Sequence, residues 1–376
     1  MTLRVKLGIT LIEVVTILAV LAILAAIAVP MALRIFQVTA EDTTRDEMTN
    51  LKTAMIGDAR KLQSYFRSDF GFLGDIGCLP TVLDRLLTAG PLPTPYTFDS
   101  AKQAGAGWKG PYITGAATGE ELAEFTKDQW GNAYTYSASG GCPLTATLTS
   151  NGPNGISEGG GGDDITLSIG SNETTATVRG KVKDSAGVGL EGVPVELYSA
   201  VSGTLTTTTA TTDANGEYVV SSVPFGPRAA RALPRFVYSP GSASVGGPGN
   251  RTVSFKIVNF SQSNETIDRV KIDYTGGATW DQFTIDGSQV APGTTNSSGQ
   301  DVDLTNRTIT ASAATRPSMR VFIDSPETQL PDTTVTGQGT VVSVSIRFSA
   351  TMAGTPITVT FNPSGAFPAS VVKFTP

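Results

Sequence analysis

Gly8-Ile9-Thr10-Leu11-Ile12-Glu13 opens the stretch on which the reading of this chain turns, and an apolar run follows it to Val29. Ile9 to Val29 is 21 residues with one charge, Glu13, near its start. At 1.5 Å per residue a helix of that length spans about 30 Å, the thickness of a bilayer core. Arg4 and Lys6 lie just before it. A secretory signal peptide has a shorter apolar region, with small residues at a cleavage site behind it. Here the Gly precedes the run, so a cut after Gly8 leaves the apolar helix on the mature chain. A carboxylate inside such a span costs a few kcal/mol and marks a functional position. A cut at Gly8 would create a partner for Glu13, the α-ammonium of Ile9. Glu13 lies too close along one helix to satisfy its own terminus, so the terminus of a neighbouring copy is the expected partner.

These residues resemble the N-terminus of type IV pilins and of the pseudopilins of type II secretion systems. The family pattern is a short basic leader, a Gly before the cut, an apolar residue after it, a Glu at the fifth mature position and often a Pro near the twenty-second. Gly8, Ile9, Glu13 and Pro30 fall in those places. Ile9 departs from the usual Phe. The resemblance implies removal of residues 1–8 by a prepilin peptidase, N-methylation of Ile9, and assembly in which Glu13 sets the register against a neighbour.

The length, 376 residues, allows two or three domains. Net charge is −6 with 16% charged residues, and no basic patch suggests nucleic acid. There is no His, which removes Ser-His-Asp and Cys-His catalysis and every His metal site. The chain is therefore expected not to be an enzyme. High Gly, with Thr, Val and Ser in the second half, fits secreted β-sandwiches. The two Cys, Cys78 and Cys142, would follow the membrane helix outward into an oxidising compartment, so a disulfide is expected; two unpaired thiols are the alternative.

Pro30 should kink the helix without ending it. Met48, Leu51, Met55, Leu62 and Tyr65 or Phe66 recur at helical spacing, which predicts one helix over 9–68, with 9–29 as membrane span or filament core and an amphipathic second half. Asp69 and Gly71 would end it. A short helix around Thr81 to Leu87 and strands at Ala133–Tyr136, Thr145–Leu148 and Ile165–Ile169 complete an α+β head over 69–170.

Asp128-Gln129-Trp130-Gly131-Asn132-Ala133-Tyr134 resembles the Asp-Pro-Trp-Gly-Asn-Pro-Tyr motif of the major pseudopilins, with Gln129 and Ala133 replacing prolines. The glycine-rich run from Ser150 to Asp164 resembles that family's calcium-binding loop. Ser150, Asn154, Glu158, Asp163 and Asp164 would supply oxygen donors, although Asn154 stands where Asp is usual. The other reading of the loop is an acidic hairpin with no metal.

After Gly170 the composition shifts. Ser171 to Thr177 reads as a linker. The strands around Val178 and Val195 and the turn Thr212-Asp213-Ala214-Asn215-Gly216-Glu217-Tyr218 resemble carboxypeptidase-regulatory-like, transthyretin-like and collagen-adhesin B-type sandwiches over 177–235. The fold implies no catalysis. Some adhesin domains of this kind carry an isopeptide crosslink; Lys181 or Lys183 with Glu196 would be two of its three parts, but no Asn of the last strand supplies the third, and the other reading is two solvated lysines and a surface Glu. Ala229 to Gly249 reads as a connector, and 250–376 as an immunoglobulin-like sandwich.

The expected molecule is therefore multidomain: a long kinked helix with an antiparallel sheet in a pilin fold, then two all-β sandwiches. Its expected role is a subunit of a type IV pilus-like filament on the cell surface, passing through the inner membrane as a precursor. Its partners would be other copies of itself and the pilus or secretion assembly machinery. The alternatives are a pseudopilin in a periplasmic filament and a minor tip adhesin.

Overall fold

The structure is a computed structural model and describes residues 11–113, 125–291, 293–312, 318–335, 339–363 and 369–376. It is a long N-terminal helix followed by a small α+β head and two β-sandwiches.

The helix runs Leu11–Ile56 with Pro30 inside it. It stops twelve residues short of the expected position 68, because Gly57 turns to φ +80 and its N–H closes on Thr53 O at 2.7 Å. A Cβ at Gly57 would run into the backbone of Asp69 and Phe70, so only glycine fits this left-handed exit. Arg67, buried, caps the end by donating to the carbonyl oxygens of Ile56, Gly57 and Asp69. Leu62, Tyr65 and Phe66, which share the helical period, instead lie in a tight hairpin of strands Leu62–Gln63 and Phe66–Arg67, turned by the positive φ of Ser64 and Tyr65, and all three are exposed.

The helix changes environment along its length. Thr44, Met48, Leu51, Ala54 and Met55 form its buried face. Met48, Leu51, Ala54 and Met55 pack in one core with Phe72, Ile76, Leu79, Leu148, Ile165 and Ile169. The head's sheet is antiparallel, in the order Thr135–Ala138, Ala146–Ser150, Ile165–Ile169. A short helix, Gly71–Ile76, and a 3₁₀ turn, Leu83–Leu86, add Phe72, Ile76, Leu83 and Leu86 to the same core. Cys78 and Cys142 are joined in a disulfide with Cα atoms 5.1 Å apart.

The inner sandwich has one sheet ordered Thr204–Thr211, Pro194–Val201, Gly226–Ala232, Met319–Ile323. The other is ordered Glu217–Pro224, Thr175–Lys183, Glu327–Gln329, with Thr333–Thr334 also pairing Thr175–Lys183. Three boundary expectations are corrected. Residues 171–177 are no linker: Ser171–Glu173 is a 3₁₀ turn and Thr175 already begins a strand. Residues 229–249 are no simple connector: Gly226–Ala232 is a central strand, and Phe236–Tyr238 and Ser244–Gly246 belong to the outer sandwich. Residues 319–334 are not part of the outer domain: they return to the inner sandwich, where Val321, Ile323, Leu330 and Val335 complete its core. Alternation shows that a segment is a strand but not which sheet accepts it.

The outer sandwich packs a sheet centred on Thr252–Asn259 and Thr340–Phe348 against one centred on Glu265–Tyr274 and Ile357–Pro363. Trp280, Phe255, Phe283, Phe348 and Phe361 are fully buried between them.

The head and the inner sandwich share structure. Phe70 and Leu73 of the head lie in the sandwich's core. Arg228, wholly buried, reaches across to donate to Gly74 O at 2.8 Å while holding Pro224 O and Phe225 O on its own side. The two sandwiches meet through the buried pair Arg235–Glu265 at 3.4 Å and through Lys373–Glu191 at 2.7 Å.

Candidate functional site: the apolar helix and the loop that docks it

Two features carry chemistry. The first is the free half of the helix. Every residue from Leu11 to Thr39 is exposed, including Leu11 at 85% and Phe36 at 72%. An 18-residue window of it reaches a mean hydropathy of 2.8 with none of it buried. That length exposes an apolar rod of about 40 Å, far beyond the apolar patch a soluble monomer carries. It has the length and composition to cross a membrane. Glu13 sits in its first turn. Thr16 Oγ1 bonds back to the carbonyl oxygens of Ile12 and Glu13 at 2.9 and 3.0 Å, so that hydroxyl is satisfied within the helix. Gly8 and Ile9 lie outside the described residues.

The second feature is the segment 128–134, which ties the helix to the head. The buried carboxylate of Asp128 organises it. Its Oδ1 accepts the N–H groups of Trp130 and Asn132 at 3.1 and 2.8 Å, and its Oδ2 accepts the Ser150 hydroxyl at 2.6 Å. Gly131 takes φ +86 to make this turn. Asn132 Nδ2 donates to Gly152 O at 2.7 Å and so fixes the start of the glycine-rich loop. On the helix side, Gln129 N–H donates to Thr44 Oγ1, Gln129 Nε2 to Glu47 Oε1, and Tyr134 OH to Glu47 Oε2 at 3.0 Å. Burial and the adjacent Glu47 carboxylate push the Tyr134 phenol well above its ordinary range, so it remains a donor.

The loop does not gather the expected calcium donors. Ser150 is turned to Asp128. Asp163 accepts from the backbone and side chain of Asn154, Asp164 Oδ2 accepts the N–H groups of Glu158 and Gly160 at 2.8 and 2.9 Å, and Glu158 Oε2 accepts Asp163 N–H at 3.0 Å. Among the described residues no three carboxylates are placed around one point for a metal. Asp164 Oδ1 and Asn151 Oδ1 are buried there with no hydrogen-bond partner, two oxygens where calcium takes six to eight. As arranged, the residues fit a loop closed on its own N–H donors and not a calcium cradle.

The isopeptide parts are likewise apart. Lys181 lies 3.9 Å from Glu217, Lys183 bonds Asp332 at 2.8 Å, and Glu196 pairs with Arg231 at 2.9 Å in the opposite sheet. Sequence reasoning missed Arg67 and Arg228, whose partners are backbone carbonyls, which every residue carries and which leave no pattern in the sequence.

No family model matches this chain, and no curated protein matches it. Solved structures resemble parts of it distantly. The T6 backbone pilin of serotype M6 Streptococcus pyogenes is 13% identical with a TM-score of 0.19, over 51% of this chain and 43% of that one. The chain thus spans under half the length of that pilin. A putative carbohydrate binding protein from Bacteroides uniformis is 12% identical with a TM-score of 0.22, over 54% of this chain and 99% of that one. The major pilin SpaD from Corynebacterium diphtheriae is 12% identical with a TM-score of 0.22, over 54% and 64%. Likeness at this level carries no argument about activity.

Proposed function

We propose that this chain is a non-enzymatic structural subunit of a type IV pilus-like filament, assembled through its N-terminal helix. The observation that carries the reading is the helix itself: an exposed apolar rod from Leu11 to Val38 that continues unbroken into the buried face of a folded head. Such a rod needs lipid before assembly and other helices after it. Bundled copies supply apolar contact along the rod and bring a neighbouring helix beside Glu13. On this reading a prepilin peptidase cuts between Gly8 and Ile9, Ile9 is methylated, and the precursor waits in the inner membrane. The head then sheathes the helix bundle, and the two sandwiches project to the cell surface for decoration or adhesion.

The test is Glu13→Ala expressed in cells. Membrane insertion should be unchanged while filaments in the sheared fraction fall at least about tenfold; normal filament yield would remove Glu13 from assembly. A second reading, a pseudopilin of a type II secretion system, is favoured by the segment Asp128 to Tyr134. The inner and outer sandwiches, from Thr175 to Pro376, weigh against it, because they enlarge the subunit beyond what a piston in a narrow channel accommodates.

A further inference from the structure

An asparagine that precedes a glycine carries the most labile side-chain amide in a protein. The glycine's backbone nitrogen can attack the asparagine Cγ, and no side chain hinders its approach. This chain holds three such pairs, Asn151-Gly152, Asn154-Gly155 and Asn215-Gly216. The fold restrains two of them. Gly216 is buried between strands: its N–H donates to Asp213 O at 2.9 Å, its carbonyl accepts Val182 N–H at 2.8 Å, and a Cβ on it would strike Val182 O. Gly152 is buried as well. Its N–H donates to Ser150 Oγ at 3.2 Å and its carbonyl accepts Asn132 Nδ2 at 2.7 Å. Asn151 Oδ1 is buried without a hydrogen-bond partner, so no donor stabilises the charge that attack would place on it.

The third pair is placed for the reaction. Asn154 and Gly155 are both exposed, and Gly155 N–H holds Gly152 O at 3.3 Å, the longest of the three glycine N–H bonds. Asn154 Oδ1 accepts Ile156 N–H at 2.6 Å. That bond folds the side chain back over the Gly155 peptide and brings Cγ towards the nitrogen that attacks it. It also sets a donor on the oxygen where negative charge develops. Asn154 Nδ2 donates to Asp163 Oδ1 at 2.6 Å and to Glu158 Oε1 at 3.5 Å. We propose that Asn154 is a site of spontaneous deamidation in the folded protein, ahead of the other two pairs, and that the change opens the glycine-rich loop. A bond forms from Gly155 N to Asn154 Cγ, the Cγ–Nδ2 bond breaks, and ammonia leaves with the proton that Gly155 gives up. Water then adds across one of the two C–N bonds of the resulting succinimide, leaving aspartate or isoaspartate at position 154. Nothing is oxidised or reduced. The product lacks the Nδ2 donor that ties Asp163 and Glu158 together and sets a new carboxylate against both, so repulsion replaces the bonds that close the loop. The inference is independent of the filament reading.

The full chain is incubated in detergent micelles at mildly alkaline pH, beside the same chain in guanidinium chloride, where no fold protects any pair. Peptide mass spectrometry, with fragmentation to separate Asn151 from Asn154, follows each pair, and enzymatic methylation of isoaspartate identifies the product. In the folded chain Asn154 should react within about threefold of its unfolded rate, while Asn151 and Asn215 should be slowed at least about tenfold because reaction there waits on local opening. Asn154 slowed as much as the other two, or either of them reacting first, would overturn the assignment. Hydrogen exchange tests the opening. The incubated chain and freshly made Asn154→Asp chain should both exchange several-fold faster at the amides of Glu158, Gly160 and Asp163, with strand Ala146–Ser150 unchanged. Native protection at those three amides in both samples would overturn the opening.

Discussion

Asp128 shows how much one side chain decides in the head. It accepts two backbone N–H groups and a buried hydroxyl, and through them it fixes the turn that docks on Glu47 and Thr44 of the helix. Asp128→Ala leaves those donors buried without partners and should destabilise the head by about 3 kcal/mol, read as a lower denaturant midpoint at unchanged slope. Asp163 and Asp164 make similar bonds to the loop's own N–H groups. Asp163→Ala with Asp164→Ala should therefore lower the head's melting temperature equally in calcium and in chelator. A loss confined to calcium would restore the cradle that the sequence suggests. Segment 128–134 was legible because its residues act on one another within a few positions. Arg228 was not. It serves Gly74, 154 positions away, and its partners are carbonyls that every residue has.

At the level of elements, the helix was legible where composition acts and misjudged where conformation does. An apolar run of bilayer length and a 3-4 spaced face over Met48–Met55 both predict helix, and the described residues of both are helical. The end was hidden because Leu62, Tyr65 and Phe66 continue the period by coincidence, while Gly57, Ser64 and Tyr65 take left-handed backbone that spacing does not reveal. Gly57→Ala should cost a few kcal/mol, because the added methyl meets the backbone of Asp69 and the φ is unfavourable for any L side chain. Arg67→Ala should fray the last turn, seen as faster amide exchange at residues 53–57 with the exposed half unaffected. The strands around Leu148, Ile165, Val178 and Val195 were recognised, whereas Thr204–Thr211, Gly226–Ala232, Trp280–Ile285 and Asp301–Ile309 were not. Sheet membership was not legible either, since the alternation of Met319–Ile323 does not show which sandwich accepts it.

Across the whole molecule, the head and the inner sandwich share one packed interface. Phe70 and Leu73 enter the sandwich core, Arg228 binds the head, and Gly77 packs so close to Ala200 that no Cβ fits between them. Calorimetry should show them melting together, and Arg228→Ala should lower that shared transition, the lost packing and unpaired carbonyls together amounting to about 3 kcal/mol. The chain excursion at 319–335 ties the outer sandwich to the inner one. Truncation after residue 310 should accordingly unfold the inner sandwich as well as the outer, although the cut lies far beyond Ala232. A β-rich body of this size on an apolar stalk suits a subunit whose helix is hidden in an assembly and whose β domains face outward. Cryo-electron microscopy of filaments sheared from cells tests that most directly. The account predicts this chain repeating along a helical lattice, with the segment from Leu11 to Val38 bundled at the axis and the sandwiches at the periphery. Filaments lacking this chain, with the protein retained as single copies in the membrane fraction, would contradict it.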